Sequence, residues 1–390
     1  MTKTIGVVES INDKKSDFNI KRYKIGKIHS EGPIKSIDAR MTNKKLFEKE
    51  SSNFTNIIFE TPKKIDADVI NLVVSGKDSY VKTFFGFSEW MHNFENVISP
   101  TFNFNPFSIY EKIEDLSGFF NYYYTFSKTF LFVPNVNSIE IIYEIGKNGN
   151  KRKTGENQII KIEEYINFVN DTYEILNDHN NKPIFVPFSL KFSMEEIQRL
   201  VKGYITKGYP HIWIDFEGAK TTDLAKLGKL KQFYSMLRKA ERFNDTILYI
   251  TNVKREITTN SQKDENPSSD ILTSLCGGNF IGVNQERINP NPLSPVIPEV
   301  LQNLWEHRAR VFNPESYYYI RRNLAGVDEK TSELLLDKQY NTLFNSKQLN
   351  IEFHNQTDQF LKDFDFEEYI CNKKNDFKLF GGTIKTTDFL

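Results

Sequence analysis

Short apolar runs alternate with amphipathic helical patterns through the middle of the chain, between Thr129 and Asn284. Within the runs, polar and apolar positions hardly alternate, which is typical of strands that are buried on both faces. The predicted strands lie in TFLFVPNV, KPIFVPFSL, HIWIDFEG, TILYITNVKRE and NFIGVNQ. A succession of strand, helix and strand predicts parallel strands that are joined by crossover helices.

The helix predicted after KPIFVPFSL has signals at both ends. Ser193 and Glu196 form a capping-box pattern, and apolar residues such as Ile197 and Val201 follow at helical spacing. Gly208 stands where a helix commonly ends, because glycine adopts the left-handed conformation without strain. Together these signals predict one helix between Ser193 and Gly208.

The fold class that we predict is α/β: a (β/α)8 TIM barrel with an N-terminal antiparallel β-sheet and a helical C-terminal extension. A doubly wound open sheet is the alternative. The expected domains are residues 1–65, 66–325 and 326–390. VINLVV, from Val69 to Val74, is expected to be the first buried strand. In both folds a functional site lies at the carboxyl ends of the strands.

The composition narrows the functional classes. Lysine and arginine total 51, and aspartate and glutamate total 51, so any basic surface that attracts nucleic acid has to be local. The two cysteines, Cys276 and Cys371, indicate a reducing compartment without a disulfide framework. No apolar run approaches the roughly 20 residues that cross a bilayer, and the N-terminus has no long apolar region. We therefore expect a cytoplasmic protein without a membrane partner.

Asp215 and Glu217 are the first candidates for catalysis, because they end the apolar run HIWI. Two carboxylates two positions apart on a strand lie on the same side of it, and they can share acid–base chemistry or bind a cation. The structural alternative is that Asp215 caps the next helix or pairs with a lysine such as Lys220.

Further polar residues indicate binding. Asn284, Glu286 and Arg287 end the next predicted strand, where Arg287 can hold a phosphate or a carboxylate. Residues 307–323 interleave arginine with tyrosine, a composition that suits phosphate contact and base stacking; an ordinary packed helix–turn–helix is the alternative. The residues are Arg308, Arg310, Arg321 and Arg322, with Tyr317, Tyr318 and Tyr319.

Other residue types carry less chemistry. The six histidines are isolated in sequence and no glycine-rich phosphate loop is present, so we predict neither a metal site nor a cofactor. Cys276 is expected to be a buried structural residue rather than a nucleophile. The phenylalanine-rich stretch 102–132 is expected to form core or a subunit interface.

Three segments, at residues 17–40, 90–109 and 268–287, resemble phrases of the tRNA-guanine transglycosylase family in order and spacing. Members of this family are (β/α)8 barrels that exchange a guanine base in tRNA for a deazaguanine. The matching positions in the first two segments are Phe18, Ile20, Gly26, Ile28, Gly32, Ile34, Ile98, Phe104, Phe107 and Ser108. The third segment, SSDILTSLCGGNFIGVNQER, follows a predicted strand as the family's phrase does.

The sequence departs from the family at the residues that carry its chemistry. The resemblance places Pro100 at the position of the family's acid–base or base-recognition aspartate, and Gly282 at the position of its nucleophilic aspartate. Phe102 and Asn103 replace a glycine pair that admits the base. The family's zinc site needs three cysteines and a histidine, and this chain has two cysteines.

The resemblance therefore implies a divergent protein of a 7-deazaguanine pathway, of the queuosine or archaeosine type. We expect a subunit that binds tRNA, with DNA as the alternative nucleic acid, or that binds a catalytic partner enzyme, and that lacks base exchange by two aspartates. Two alternatives remain open: an active pentosyltransferase that uses Asp215 and Glu217, and a non-enzymatic barrel that serves as a scaffold for homo- or hetero-oligomers.

Overall fold

The computed structural model describes most of the chain. The described residues are 5–12, 19–25, 28–51, 54, 56–76, 78–107, 113–137, 139–145, 151–178, 181–254, 264–285, 309–363, 369–370 and 373. By their contacts, the residues form two compact units that interleave along the chain. The first unit comprises Met1–Ile5, Thr61–Asp215 and Gln232–Thr246. The second comprises Gly6–Glu60, Phe216–Lys231 and Ile247–Leu390.

The strands, in chain order, are β1 (Gly6–Asn12), β2 (Asn19–Ile25), β3 (Ile28–Ser30), β4 (Ile34–Lys35), β5 (Ile37–Asp38), β6 (Ile58–Ile65), β7 (Glu95–Phe102), β8 (Leu131–Phe132), β9 (Asn135–Val136), β10 (Ile139–Ile145), β11 (Lys151–Gln158), β12 (Ile184–Ser189), β13 (His211–Asp215), β14 (Ile247–Thr251), β15 (Glu265–Pro267), β16 (Phe280–Ile281), β17 (Arg310–Asn313) and β18 (Tyr318–Arg321).

The helices are α1 (Lys44–Glu50), α2 (Ala67–Val74), α3 (Asp78–Phe85), α4 (Ile113–Phe126), α5 (Ile162–Asn177), α6 (Met194–Lys207), α7 (Leu224–Lys239), α8 (Glu329–Leu334) and α9 (Lys338–Asp363). Short 3₁₀ helices occur at Ala39–Met41, Glu89–Asn93 and Ser269–Thr273.

The first unit is built from parallel strands and crossover helices. β12 pairs in parallel with β8 on one side and with β13 on the other. β9, which continues the run that begins with β8, pairs in parallel with β7. Helices α5 and α6 precede β12 and β13, as the alternating pattern predicts, and helix α4 lies between β7 and β8, outside the residues of that pattern. β10 and β11 form a separate antiparallel hairpin.

The core of this unit is dense in aromatic side chains. Phe102 is fully buried, and its ring lies 5.7 Å from that of Phe168 and 6.0 Å from that of Phe119, between centroids. Phe132 on β8 and Phe130, two residues before it, are also buried. The sequence predicts that the phenylalanine-rich stretch forms core or a subunit interface, and its buried phenylalanines pack in the core of this unit.

The second unit contains both antiparallel and parallel sheets. β1, β2 and β3 form an antiparallel sheet, as the sequence predicts for the start of the chain. β16 pairs in parallel with β4 and β14, and β5 pairs in parallel with β6. Helices α8 and α9 lie near the end of the described chain, at Glu329–Leu334 and Lys338–Asp363, which confirms the predicted C-terminal helices.

Two predicted elements differ from the structure. The run VINLVV belongs to helix α2 and is not a strand: Ile70 and Val73, three residues apart, are buried, while Leu72 is exposed. Residues 310–321 form the antiparallel hairpin β17–β18 rather than a helix–turn–helix. The structure is thus a mixed α/β fold with parallel strands joined by helices, which is compatible with a TIM-like arrangement; closure of eight strands stays a prediction.

Candidate functional site

A row of hydrogen-bonded polar side chains follows the carboxyl ends of four strands in the first unit. Asn103 Nδ2 donates to Asp66 Oδ1 at 3.0 Å, Asn137 Nδ2 donates to Asn103 Oδ1 at 2.9 Å, and Lys191 Nζ donates to Asn137 Oδ1 at 2.8 Å. The first three residues come directly after β6, β7 and β9, and Lys191 comes two residues after β12. We call these four residues the polar row.

Asp215 ends β13 in the same unit and is buried. Its Oδ2 accepts a hydrogen bond of 3.1 Å from Asn135 Nδ2. Asn135 Oδ1 in turn accepts one of 2.9 Å from the hydroxyl of Tyr165. The helix after β13 is capped by another residue, since Asp223 Oδ1 accepts from the backbone N–H groups of Ala225 and Lys226. Asp215 is therefore a positioned carboxylate at a strand end, and the role predicted for it stays a prediction.

Glu217 is placed differently from the sequence expectation. β13 ends at Asp215, and Glu217 lies beyond it in a turn with a φ of +53°. The rule that alternate residues share one side of a strand does not apply outside the strand. The premise that Asp215 and Glu217 share a strand face is thus wrong.

Glu60, on β6 in the second unit, carries a carboxylate although the residue is 0% exposed. The hydroxyl of Tyr249 donates to its Oε2 at 2.6 Å, and the backbone N–H of Val283 donates to the same oxygen at 2.7 Å. The Thr251 hydroxyl donates to Oε1 at 3.1 Å. These donors satisfy both oxygens, which is what burial of a carboxylate requires.

Tyr249 is held as a neutral donor to Glu60. Burial raises the pKa of its phenol well above the usual value, and the neighbouring charge of Glu60 raises it further. The phenol oxygen also lies 2.8 Å from the hydroxyl of Ser36, the residue between β4 and β5. Tyr249 therefore keeps its proton, and the pair functions as a donor–acceptor contact rather than as an acid–base couple at neutral pH.

Gly282, directly after β16, lies against this carboxylate. A Cβ atom at position 282 would be 2.7 Å from Glu60 Oε2 and 2.6 Å from Thr251 Cβ. Real Cβ atoms do not approach other atoms so closely, so the glycine leaves the space that Glu60 and Thr251 fill.

A second hydrogen-bond network in this unit includes Asn284, one of the predicted site residues. Asn284 Oδ1 accepts from Lys35 Nζ at 3.0 Å, and Asn284 Nδ2 donates to Asp270 Oδ2 at 2.6 Å. The same Asp270 oxygen accepts from the hydroxyl of Tyr319 at 2.7 Å. Lys35 also donates to the carbonyl oxygen of Gly282. Asn284 is thus a bridge between a buried ammonium and a buried carboxylate.

The arginines of the predicted binding surface are not equivalent. Arg310 is only 1% exposed, and its Nη1 donates to the carbonyl oxygens of Asp264 and Tyr319. Arg321 Nη1 lies 3.3 Å from Asp264 Oδ1, and Arg322 Nη1 donates to Ser332 Oγ at 2.9 Å. Arg321 and Arg322 are partly exposed, whereas Arg310 does not face solvent.

The neighbouring tyrosines also face inward. Tyr317, Tyr318 and Tyr319 are all buried, so none of them presents a ring face on which a base could stack in this structure. The remaining predicted site residues, Glu286, Arg287 and Arg308, lie outside the described residues.

Metal and thiol chemistry find no support in the described ranges. No group of three or more His, Cys, Asp or Glu side chains within them could hold a metal ion. Cys276 is buried, and Cys371 lies outside the described residues. No described helix combines the length and the hydrophobicity that a membrane crossing requires.

The strand-end residues that sequence reasoning missed had a weak signal. Asp66, Asn103 and Asn137 each follow a strand directly, but a polar residue after an apolar run is too common to single out. Glu60 and Lys35 lie within short β-prone pieces, and nothing in the local sequence shows that their charges are buried.

Comparisons with known proteins add little. No protein-family model matches the chain, and no curated protein sequence matches it. Among solved structures, a modular endo-β-1,4-mannanase of glycoside hydrolase family 26 from Cellulomonas fimi is similar with a TM-score of 0.38 and 10% sequence identity, covering 70% of this chain and 70% of that chain. A likeness of this size carries no argument about function.

Proposed function

We propose that the chain is a divergent tRNA-guanine transglycosylase-like protein of a 7-deazaguanine modification pathway, with an eight-stranded (β/α) barrel. In this proposal it binds tRNA, alone or with a catalytic partner, and does not exchange bases by the two-aspartate route. The three sequence segments support the family, and the antiparallel sheet β1–β3, followed by parallel strands and helices, is compatible with it.

The geometry at Gly282 is the observation that carries the loss of base exchange. The resemblance assigns the nucleophile to this position, and Glu60 with Thr251 leaves no space there for any side chain. Glu60 does not substitute for the missing aspartate, because it is fully buried and already accepts three hydrogen bonds. A nucleophile needs a lone pair that can reach the ribose carbon.

A second departure from the family, at Pro100, also supports the loss of base exchange. Pro100 is buried within β7, at the position that the resemblance assigns to the other aspartate. A proline side chain neither donates nor accepts a proton, so it cannot serve in acid–base chemistry.

A guanine-exchange assay tests the loss of base exchange. Purified protein is incubated with bulk tRNA and radiolabelled guanine, with an active transglycosylase as the positive control. We expect no incorporation above that of a heat-denatured sample. Robust incorporation of guanine by this chain alone would contradict the proposal.

Binding of tRNA is tested separately, by titration at several salt concentrations. Among the arginines of the predicted surface that the structure describes, Arg321 and Arg322 are partly exposed. We therefore expect Arg321→Ala/Arg322→Ala to weaken binding about tenfold and to lower the salt slope by roughly one to two. Arg321→Lys/Arg322→Lys should retain most of the affinity. The control is Arg199→Ala, which removes an exposed arginine of α6. Absence of salt-dependent binding at low salt contradicts binding of tRNA by the chain alone.

A second candidate function is pentosyl transfer with a relocated carboxylate. Asp215 favours it, because this carboxylate ends β13 and Asn135 orients it. If the exchange assay shows turnover, Asp215→Asn should abolish it while leaving the thermal unfolding midpoint unchanged. Unaffected turnover in that variant removes Asp215 from the reaction.

A further inference from the structure

The polar row has the character of a binding surface. Its four side chains come from four different strand ends, which is the edge where proteins built from parallel strands and helices hold their ligands. Asn103, Asn137 and Lys191 are partly exposed, and Asp66 is exposed. Asp66 also precedes helix α2, yet its side chain makes no capping hydrogen bond and accepts from Asn103 instead.

The two central carboxamides retain hydrogen-bonding capacity. A carboxamide has two N–H donors and an oxygen with two lone pairs. Asn103 uses one donor toward Asp66 and one lone pair toward Asn137. Asn137 uses one donor toward Asn103 and one lone pair toward Lys191. Each amide therefore has an N–H and a lone pair left for a ligand.

The charges at the two ends of the polar row restrict the charge of a ligand that can bind there. An anion at the amides is attracted by the ammonium of Lys191 but repelled by the carboxylate of Asp66, and the reverse holds for a cation, so the row favours neither sign of charge. A hydroxyl group carries no charge, and it donates and accepts at once, so it can pair with an amide N–H and with an adjacent oxygen. Adjacent hydroxyl groups match a row in which donors and acceptors alternate.

We propose that the polar row binds a neutral polyhydroxylated ligand through adjacent hydroxyl groups, as a sugar ring presents them. A free sugar and the ribose of a nucleoside share this chemistry. The inference rests on the hydrogen bonds of the row and not on Gly282 or Pro100, the two positions from which the loss of base exchange is argued.

The test measures binding to the full chain by ligand-observed NMR. The neutral probes are methyl ribofuranoside, glucose, myo-inositol and adenosine, and 2′-deoxyadenosine serves as the matched nucleoside without adjacent ribose hydroxyls. The charged probes are glucose 6-phosphate and glucosamine. We expect saturable binding of at least one neutral probe with a dissociation constant of about 1 mM or tighter, and weaker binding of the charged probes.

Variants assign the binding to the row. Asn137→Ala should weaken binding at least about tenfold, because it removes the central donor and acceptor together. Asn103→Ala should weaken it similarly. Asn167→Ala is the control, since Asn167 is an exposed asparagine on α5 in the same unit. Circular dichroism checks that each variant is folded.

The outcomes separate the interpretations. Binding of adenosine but not of 2′-deoxyadenosine identifies ribose as the source of the hydroxyl groups, and binding of glucose or inositol identifies a free polyol. If the wild-type chain binds none of the neutral probes, or binds only the charged ones, the proposal is overturned whether or not the variants fold. Binding that Asn137→Ala and Asn103→Ala leave unchanged overturns it as well.

Discussion

A buried carboxylate is stable only when donors surround it, and Glu60 shows what this demands of its neighbours. Tyr249, Thr251 and the N–H of Val283 supply the donors. This packing leaves no volume at position 282, so the glycine there is a consequence of the buried carboxylate. At the scale of single residues, the absence of a side chain at position 282 and the burial of the Glu60 carboxylate thus depend on each other.

This feature predicts a loss of stability when position 282 gains a side chain. Gly282→Ala should lower the free energy of unfolding by about 1–3 kcal/mol, because its Cβ atom overlaps Glu60 and Thr251. Gly282→Asp should cost at least as much, since it adds a carboxylate beside Glu60. Urea denaturation measures both.

The control for this prediction is Gly228→Ala on α7. A Cβ atom there has no other atom within 4 Å, so alanine should leave stability unchanged or raise it by up to about 1 kcal/mol. Equal stability of Gly282→Ala and Gly228→Ala would show that the packing around Glu60 yields without cost.

Single residues of the candidate site were predictable only where an apolar run pointed to them. Asp215 and Asn284 end such runs, and the structure places Asp215 at a strand end and Asn284 just beyond one, each with a polar partner. Arg310 lies in a segment rich in basic and aromatic residues. This segment is buried by contacts with residues distant in sequence: Asn341 and Asn345, for example, donate to the carbonyl oxygen of Arg310. Composition does not reveal such contacts.

At the scale of elements, local signals at helix ends were reliable. Ser193 Oγ accepts from the N–H of Glu196, and Glu196 Oε2 accepts from the N–H of Ser193, which confirms the predicted capping box of α6. Gly208 follows α6 with a φ of +74°, as predicted for its end. These signals act within a few residues, so the sequence contains all of the information that they need.

Pairing between distant segments was less predictable. VINLVV has strand-like composition, but Asp66 precedes it at the helix N-cap position and only one face of it is buried. β4 and β5 lie in a region predicted to be antiparallel, yet they pair in parallel with β16 and β6. The partner of a two-residue strand is chosen by tertiary packing, which its own sequence does not encode.

Two glycines, one at the end of helix α6 and one inside it, should change stability in opposite directions when each is replaced by alanine. Gly208→Ala should lower the free energy of unfolding by about 1–2 kcal/mol, because alanine is strained in the left-handed conformation. Its added Cβ atom would meet only Arg242 Nη1, at 3.6 Å, so steric overlap contributes nothing.

Gly203→Ala, inside the same helix, is the matched control. Its Cβ atom would be an ordinary 3.7 Å from Ile166 Cγ2, so the variant should gain about 0.4–1 kcal/mol from reduced freedom of the unfolded chain. Thermal or urea unfolding of both variants measures the difference. A loss of stability at both glycines would contradict the assignment of the Gly208 effect to its backbone conformation.

At the scale of the whole molecule, stability depends on pH through each group whose pKa changes on folding. His211, at the start of β13, is 1% exposed, and its Nε2 accepts a hydrogen bond of 3.1 Å from the backbone N–H of Ile5. Burial lowers the pKa of His211 from 6.5 to about 3. The folded chain therefore holds this imidazole neutral.

The sign of the resulting pH dependence follows from where the proton binds. Below pH 6.5 the unfolded chain protonates His211, whereas the folded chain resists protonation until about pH 3. The contribution of His211 is thus fully present above pH 6.5 and is lost progressively between pH 6.5 and 3. Between pH 7 and 5 this loss amounts to about 2 kcal/mol of the free energy of unfolding.

His211→Gln should reduce this loss, because a glutamine oxygen can accept from Ile5 and does not titrate. The measurement is urea denaturation at pH 7 and pH 5 for the wild type, for His211→Gln and for His92→Gln, which changes an exposed histidine. The decrease between the two pH values should be about 2 kcal/mol smaller in His211→Gln than in the other two chains. An equal decrease in all three would mean that His211 is protonated in the folded state, and that the contact with Ile5 does not persist in solution.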